Sequence, residues 1–263
     1  MRDNQVRRAL GQGKTVYGTM IQEMRSPAVS QVMAAAGFDF VFFDMEHGAY
    51  NIETVADLIK VARLCGVVPL VRVPDDHYHL IARVLDAGAQ GIMVPRIETR
   101  AQAEAIVKCA MYPPEGRRGC SGLKGHSDYH PEPVSQLCRH ANQNNLIILQ
   151  IERKKAIEDI ESILSVPGVG GAIIGPTDLS LSLGVPSDIS HPAMVQSIQK
   201  VVDTCRALGV PAGLHISDPR VLKSWMAKGM RIVMYSSDLA LLLAGARAGL
   251  SELRGEESAM LDR

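Results

Sequence analysis

Residues 40–48 read Phe-Val-Phe-Phe-Asp-Met-Glu-His-Gly, an apolar run that stops abruptly at two carboxylates and an imidazole. A continuous run of bulky apolar residues marks a strand covered on both faces, as parallel strands are beneath their helices. The next segment, residues 52–64, changes to a helical spacing of apolar positions, and this strand-then-helix unit recurs in both directions along the chain. Strand-like runs fall at residues 16–21, 40–45, 69–73, 91–97, 146–151, 172–175, 211–216 and 231–235. Helical patterns at 26–36, 52–64, 78–87, 101–111, 193–208 and 219–227 separate them. Such strict alternation requires an α/β fold with a parallel sheet, either closed or open and doubly wound. Eight runs favour closure into a (β/α)8 TIM barrel, which leaves no edge strand to protect. The 263 residues also match the roughly 250 typical of one such barrel. No linker interrupts them, so residues 1–263 are expected to form a single domain. The one long irregular stretch, 112–145, is rich in Pro, Gly and His, and 133–141 within it fits a short helix.

Composition narrows the function. Hydrophobic residues make up 46% and aromatics only 4%, so the core must be built from aliphatic side chains. Lys+Arg and Asp+Glu both number 28, and a neutral chain lacks the field that draws polyanions, which argues against nucleic-acid binding. The five cysteines are dispersed without a CxxC pair, as expected of reduced intracellular thiols. The first fourteen residues are charged and carry no apolar stretch, so a soluble, cytoplasmic protein without a secretory signal is expected. The most apolar helical stretch, 239–250, is interrupted by Arg247 and is too short to span a bilayer.

In a barrel the chemistry is built where strands end, and four predicted strand ends carry polar or ionisable groups. The second ends in Asp44, Glu46 and His47, the third in Arg72, the fifth in Gln150 and Glu152, and the sixth in Thr177 and Asp178. Two carboxylates on neighbouring strand ends, Glu152 and Asp178, suit a hard divalent cation and leave its other positions open. Gln150 lies two residues before Glu152 and so faces the same side, where its amide is placed to fix a substrate carboxylate or carbonyl. Arg72 cannot lose its proton and suits planar recognition of a carboxylate or an enolate oxygen. His47 titrates near neutrality and is the natural general base. Each has a simpler reading: helix capping for Glu152 and Asp178, a buried ion pair with Asp44 or Glu46 for Arg72, and a satisfied turn histidine for His47.

Three segments imitate sites. Residues 11–15 (GQGKT) resemble the end of a phosphate-binding loop, but they precede a strand instead of following one. Asp75, Asp76 and His77, with His79, resemble a metal cluster, yet they fall where the third helix should begin, with Asp76 as its expected cap. The glycines at 168, 170 and 171 also precede a strand and read as a turn.

Together, residues 37–48 (GFDFVFFDMEHG), 69–74 (PLVRVP), 85–95 (LDAGAQGIMVP), 112–119 (YPPEGRRG), 150–152 (QIE) and 174–184 (IGPTDLSLSLG) resemble the HpcH/HpaI aldolase family. These are class II 4-hydroxy-2-oxo-heptanedioate and 2-keto-3-deoxy sugar-acid aldolases, and the likeness covers essentially the whole chain. The resemblance implies Glu152 and Asp178 as ligands of Mg²⁺, Mn²⁺ or Co²⁺, Arg72 as the enolate-stabilising arginine, and His47 as general base. It adds Asp86 as the carboxylate that raises the basicity of His47, and Gln150 with the Thr177–Asp178 backbone as the pyruvate-binding positions. It further implies a homohexamer whose last helix is exchanged between dimer partners. Thr177 stands where the family commonly has alanine, Arg153 where it has threonine, and residues 120–130 have no match in its pattern.

The activity so implied is reversible cleavage of a 4-hydroxy-2-oxo acid into pyruvate and an aldehyde, through a pyruvate enolate stabilised by the cation. Rival readings are a CoA-ester lyase or a 2-oxo-acid decarboxylase with the same enolate, a Schiff-base aldolase using Lys154, and a silent barrel serving as a scaffold. A CoA lyase calls for an extra basic surface that the sequence lacks, and a scaffold would not be expected to keep all these strand-end groups.

Overall fold

A computed structural model describes residues 1–255. The chain runs α1 (Gln5–Gly11), β1 (Val16–Ile21), α2 (Ala28–Ala35), β2 (Phe40–Asp44), α3 (Ile52–Cys65), β3 (Val68–Arg72), α4 (Tyr78–Asp86), β4 (Gly91–Val94) and α5 (Arg100–Ala110). It continues through α6 (Val134–Asn144), β5 (Leu146–Ile151), α7 (Lys154–Glu158), α8 (Ile160–Leu164), β6 (Gly171–Ile174) and α9 (Pro176–Ser182). The last elements are α10 (Pro192–Leu208), β7 (Ala212–Ile216), α11 (Pro219–Ala227), β8 (Ile232–Ser237) and α12 (Asp238–Arg254). The eight strands are all parallel and form a closed barrel in chain order, with β8 returning to β1.

The two-residue period of each strand divides the apolar residues between two cores. Phe40 and Phe42, Val68 and Leu70, Met93, Leu146 and Ile148, Ile173, and Met234 fill the barrel interior. Val41 and Phe43, Val71, Ile147 and Leu149, and Ile174 pack outward against the helices. Carried one step further, the same parity turns Asp44, Arg72 and Gln150 inward at the C-terminal mouth. The opposite mouth is closed by α1, whose Val6 and Leu10 join the interior cluster. Asn4 caps that helix by accepting from the Arg7 N–H at 2.9 Å, and its amide donates to the Gln90 carbonyl at 2.8 Å. The residue 11–15 segment lies at this closed end, joining α1 to β1.

Several elements differ from the sequence expectation. The fourth strand stops at Val94 instead of residue 97, because Pro95 offers no N–H to the ladder and Arg96 turns to φ 58°. The helix at 26–36 shortens to α2 behind Pro27. Finally, α1, α7, α8 and α9 are too short to show a periodicity, whereas the short helix expected near 133–141 is present as α6. Along α12 the apolar face is open, with Leu242 58% and Leu253 85% exposed. No helix among the described residues is long and apolar enough to cross a membrane.

Gly18 faces the interior, where a Cβ would lie 2.1 Å from the Phe40 ring. Phe40 is fully buried and stands edge-on to Phe42, with ring centroids 5.7 Å apart. The Gly18→Ala protein should therefore lose about 1–3 kcal/mol of stability through overpacking. Its midpoint in a urea titration is the measurement, and an unshifted midpoint would mean the Phe40 ring has room to move.

Candidate active site

A cavity of about 580 Å³ opens at the C-terminal mouth, lined by His47, Arg72, Gln150, Glu152, Thr177 and Asp178. Six of the residues expected from the sequence therefore meet in one place. Asp86 does not. It ends α4, where its Oδ1 accepts from the buried Arg118 at 2.5 Å, so within one protomer it does not pair with His47.

The site is organised around Arg72. Asp44 lies directly across the β2–β3 ladder. The guanidinium grips it side-on with one edge, Nε to Oδ1 at 2.8 Å and Nη2 to Oδ2 at 2.5 Å. Asp44 also accepts from Gln22 Nε2 at 2.9 Å and from the backbone N–H groups of Glu46 and His47 at 3.0 and 3.3 Å. The remaining edge of Arg72 reaches Glu46 Oε2 at 3.2 Å and Gln150 Oε1 at 3.4 Å. The ion-pair reading of Arg72 is thus realised, and the same guanidinium still faces the cavity.

Glu152 is buried, with Oε1 accepting from the Arg96 N–H at 2.7 Å and Oε2 from the Gln150 amide. Gly175 makes room for this packing, since a Cβ there would lie 2.6 Å from Glu152 Oε2. Arg96 pairs its side chain with Glu46 and donates to the Pro74 carbonyl at 2.5 Å. Burial and the nearby Glu152 charge push the Glu46 carboxyl up, against the pull of Arg72, His47 and Arg96. Glu46 Oε2 is sealed from solvent and has Arg72 as an ion partner at 3.2 Å, but accepts no well-aligned hydrogen bond.

Neither predicted metal ligand caps a helix. Arg153 and Gly175 occupy the cap positions of α7 and α9, so the capping alternative falls away. Asp178 sits in the first turn of α9, its side chain 39% exposed and 4.0 Å from Arg153. Thr177 precedes it in the same turn, where backbone N–H groups have no acceptor within the helix. Buried Glu152 and open Asp178 both line the cavity and offer only oxygen donors. That chemistry fits a hard divalent cation held by Glu152 and Asp178.

The Asp75, Asp76 and His77 group brings three ligand atoms within 4.8 Å of one another, the one such group among the described residues. It lies in the β3–α4 loop. The cap of α4 is His77 instead of Asp76, and it makes no side-chain capping bond. Exposed His47 stands in the loop after β2. Sequence reasoning missed three groups: Arg96, buried Asp238, and His215 on the cavity wall. Arg96 and Asp238 each look like an ordinary surface charge in the sequence, and only the fold shows what they hold.

The model of the HpcH/HpaI aldolase/citrate lyase family matches residues 20–244. The chain belongs to that family. A hydroxypyruvate/pyruvate aldolase of Roseobacter denitrificans is 32% identical over 247 residues, covering 91% of this chain and 93% of its own. A pyruvate aldolase of Rhizobium etli is 34% identical over 245 residues, covering 93% and 95%. The crystal structure of an HpcH/HpaI aldolase from Desulfitobacterium hafniense matches with a TM-score of 0.90 at 33% identity, covering 95% of this chain and 97% of that one. This HpcH/HpaI family member is a lyase of the aldolase type.

In this aldolase burial alone would raise the Asp44 carboxyl, but the Arg72 hydrogen bonds and charge, aided by Gln22, outweigh it and hold it below the ordinary range. A depressed carboxyl contributes stability that is complete above its unfolded value of about 4 and is lost as pH falls through the lower folded value. The Asp44→Asn enzyme should be less stable by about 3–5 kcal/mol near neutrality, because Arg72 stays charged and buried. Its stability should also fall less steeply than that of the wild type below about pH 4. Urea titrations across that range test both, and parallel curves would show that the pair does not govern acid stability.

Proposed function

We propose that the chain is a divalent-metal-dependent aldolase that cleaves a 4-hydroxy-2-oxo acid to pyruvate and an aldehyde, and joins them in reverse. The observation that carries this is the buried, clamped Arg72 sharing one cavity with Gln150 and the Glu152/Asp178 pair. The names of the relatives, pyruvate aldolases among them, support the same substrate class. Glu152 and Asp178 would hold Mg²⁺, Mn²⁺ or Co²⁺, which when bound supplies Lewis-acid stabilisation of negative charge on neighbouring oxygens.

The protein's own groups do the rest. As the C3–C4 bond breaks, charge gathers on the pyruvate enolate oxygen, and Arg72 Nη1, which also reaches Glu46 and Gln150, is the donor that faces it. Because Asp44 already fixes the guanidinium, this donor needs no reorganisation during the reaction. The Gln150 amide is locked between Arg72 and Glu152 and orients the 2-oxo acid. The unpaired N–H groups of Thr177 and Asp178 suit its carboxylate. His47, at the rim, takes the proton from the C4 hydroxyl. Asp86 would support His47 from a neighbouring subunit of a homo-oligomer, a hexamer with α12 exchanged between partners, and the open leucines of α12 favour such an assembly. A Schiff-base route is disfavoured, because the Lys154 side chain is 65% exposed, lies beside Glu158 and is outside the cavity lining.

Pyruvate release from 4-hydroxy-2-oxo acids should stop in EDTA and return with added Mn²⁺, Co²⁺ or Mg²⁺, and Glu152→Gln and Asp178→Asn should abolish it. Full activity in EDTA, with borohydride trapping a lysine adduct, would overturn the metal assignment.

Arg72→Lys keeps a charge but loses the planar fork, so kcat should drop on the order of 10²-fold. Turnover near that of the wild type would reduce Arg72 to a structural ion pair.

A further inference from the structure

We infer that His215 selects the aldehyde half of the substrate: its Nδ1 accepts a hydrogen bond from a hydroxyl of the aldehyde, so the enzyme favours hydroxyaldehydes. This rests on the aldolase reading and specifies its second substrate. His215 lies on β7, on the parity of Gly213, whose Cβ would point at the interior residues Ile232 and Ile173. It lines the same cavity as Arg72 and Gln150.

Its ring is held in one tautomer. Nε2 lies 2.9 Å from the Ser236 carbonyl oxygen, which can only accept, so Nε2 carries the proton and Nδ1 of the neutral ring is a bare lone pair. Ser236 presents that carbonyl from a left-handed backbone, φ 60°, beside the register shift between β1 and β8. Non-glycine residues adopt that conformation at a cost, and here the cost is spent on aiming one carbonyl. The Thr19 hydroxyl donates to the same oxygen at 3.3 Å. Burial lowers the pKa of the ring, against the Ser236 hydrogen bond and Asp44 and with the Arg72 charge, which favours the neutral form.

Nδ1 has no protein partner among the described residues and is not among the side-chain atoms sealed from solvent, so it is open to the cavity. The pyruvate half cannot use it, since every oxygen of an ionised 2-oxo acid is an acceptor. A hydroxyl on the aldehyde can. Ser217 and Asp218 continue this wall, and Arg72, already engaged with Asp44 and Glu46, is the one arginine or lysine lining the cavity among the described residues. The wall is therefore polar and without a free cation, a poor match for an aldehyde bearing a carboxylate and a good one for a neutral hydroxyaldehyde.

The test is the ratio of kcat/KM for aldol addition of pyruvate to glycolaldehyde and to acetaldehyde, measured beside exchange of the pyruvate methyl protons. Wild type should favour glycolaldehyde by about 10–100-fold, the cost of leaving this acceptor unmatched once bound substrate shields it from water. His215→Gln can keep a donor to Ser236 but loses the acceptor, and should bring the ratio to within a few-fold of one. His215→Asn places its Oδ1 near the position of Nδ1 and should keep most of the preference. A wild type that does not discriminate, or a ratio unmoved in the Gln variant, overturns the role of His215 while methyl exchange leaves the aldolase reading standing. Equal loss with both aldehydes together with methyl exchange would make His215 a structural or proton-handling group and overturn it as well. Absence of methyl exchange in the wild type would instead overturn the aldolase reading, and this inference with it.

Discussion

A guanidinium cannot shed its proton, so a barrel that turns one inward must build the surrounding mouth to suit it. Arg72 is that residue, and its burial is tolerable only because Asp44 faces it in register on the next strand. The support extends outward. Gln22 donates to Asp44, and the backbone N–H groups of Gln22, Glu23 and Met24 all point to one oxygen of buried Asp238, at 3.2, 3.0 and 2.9 Å. Asp238 opens α12 directly after β8. One electrostatic network thus ties the ends of the first, second, third and eighth strands, and a rigid donor results at the place where enolate charge is proposed to develop.

Two carboxylates two residues apart in this network are driven in opposite directions. Asp44 receives five hydrogen bonds and is held ionised, whereas Glu46 is buried near Glu152 and resists ionisation. The difference comes from the partners and not from the residue type, since both share Arg72. Arg96 moderates the second case. It approaches Glu46 with its side chain and Glu152 with its backbone, which explains the left-handed conformation of a residue that carries a Cβ.

The barrel was legible because its strands are uninterrupted apolar runs whose count and alternation admit few arrangements. Parity also put Gln150 and Glu152 on one face, whereas the inward placement of Asp44 and Arg72 emerged from the folded barrel. The short helices α7, α8 and α9 were not legible, since five to seven residues carry no measurable period. The early end of β4 has a local mark in Pro95, but the turn at Arg96 that follows it reaches Glu152, a contact separated by 56 residues. His215 was hidden for a related reason: a histidine within an apolar run reads as core until the neighbouring strand shows which nitrogen is committed. The partner of Asp86 was read from a resemblance, and the protomer pairs it with Arg118.

The helix α12 joins these points. Its first residue, Asp238, is 1% exposed and anchors the loop that carries Gln22, whereas farther along the helix Leu242, Leu243 and Leu253 are open. Apolar side chains gathered on one helix are costly to leave in water, and a contiguous patch of them marks a surface built to be covered. In the proposed homo-oligomer the covering surface is another copy of this chain. Association would then load the element whose first carboxylate positions Gln22 and, through it, Asp44 and Arg72. The mouth of the barrel and the face that joins subunits would share one buried residue, so assembly and the geometry of the enolate donor would be set by the same contact.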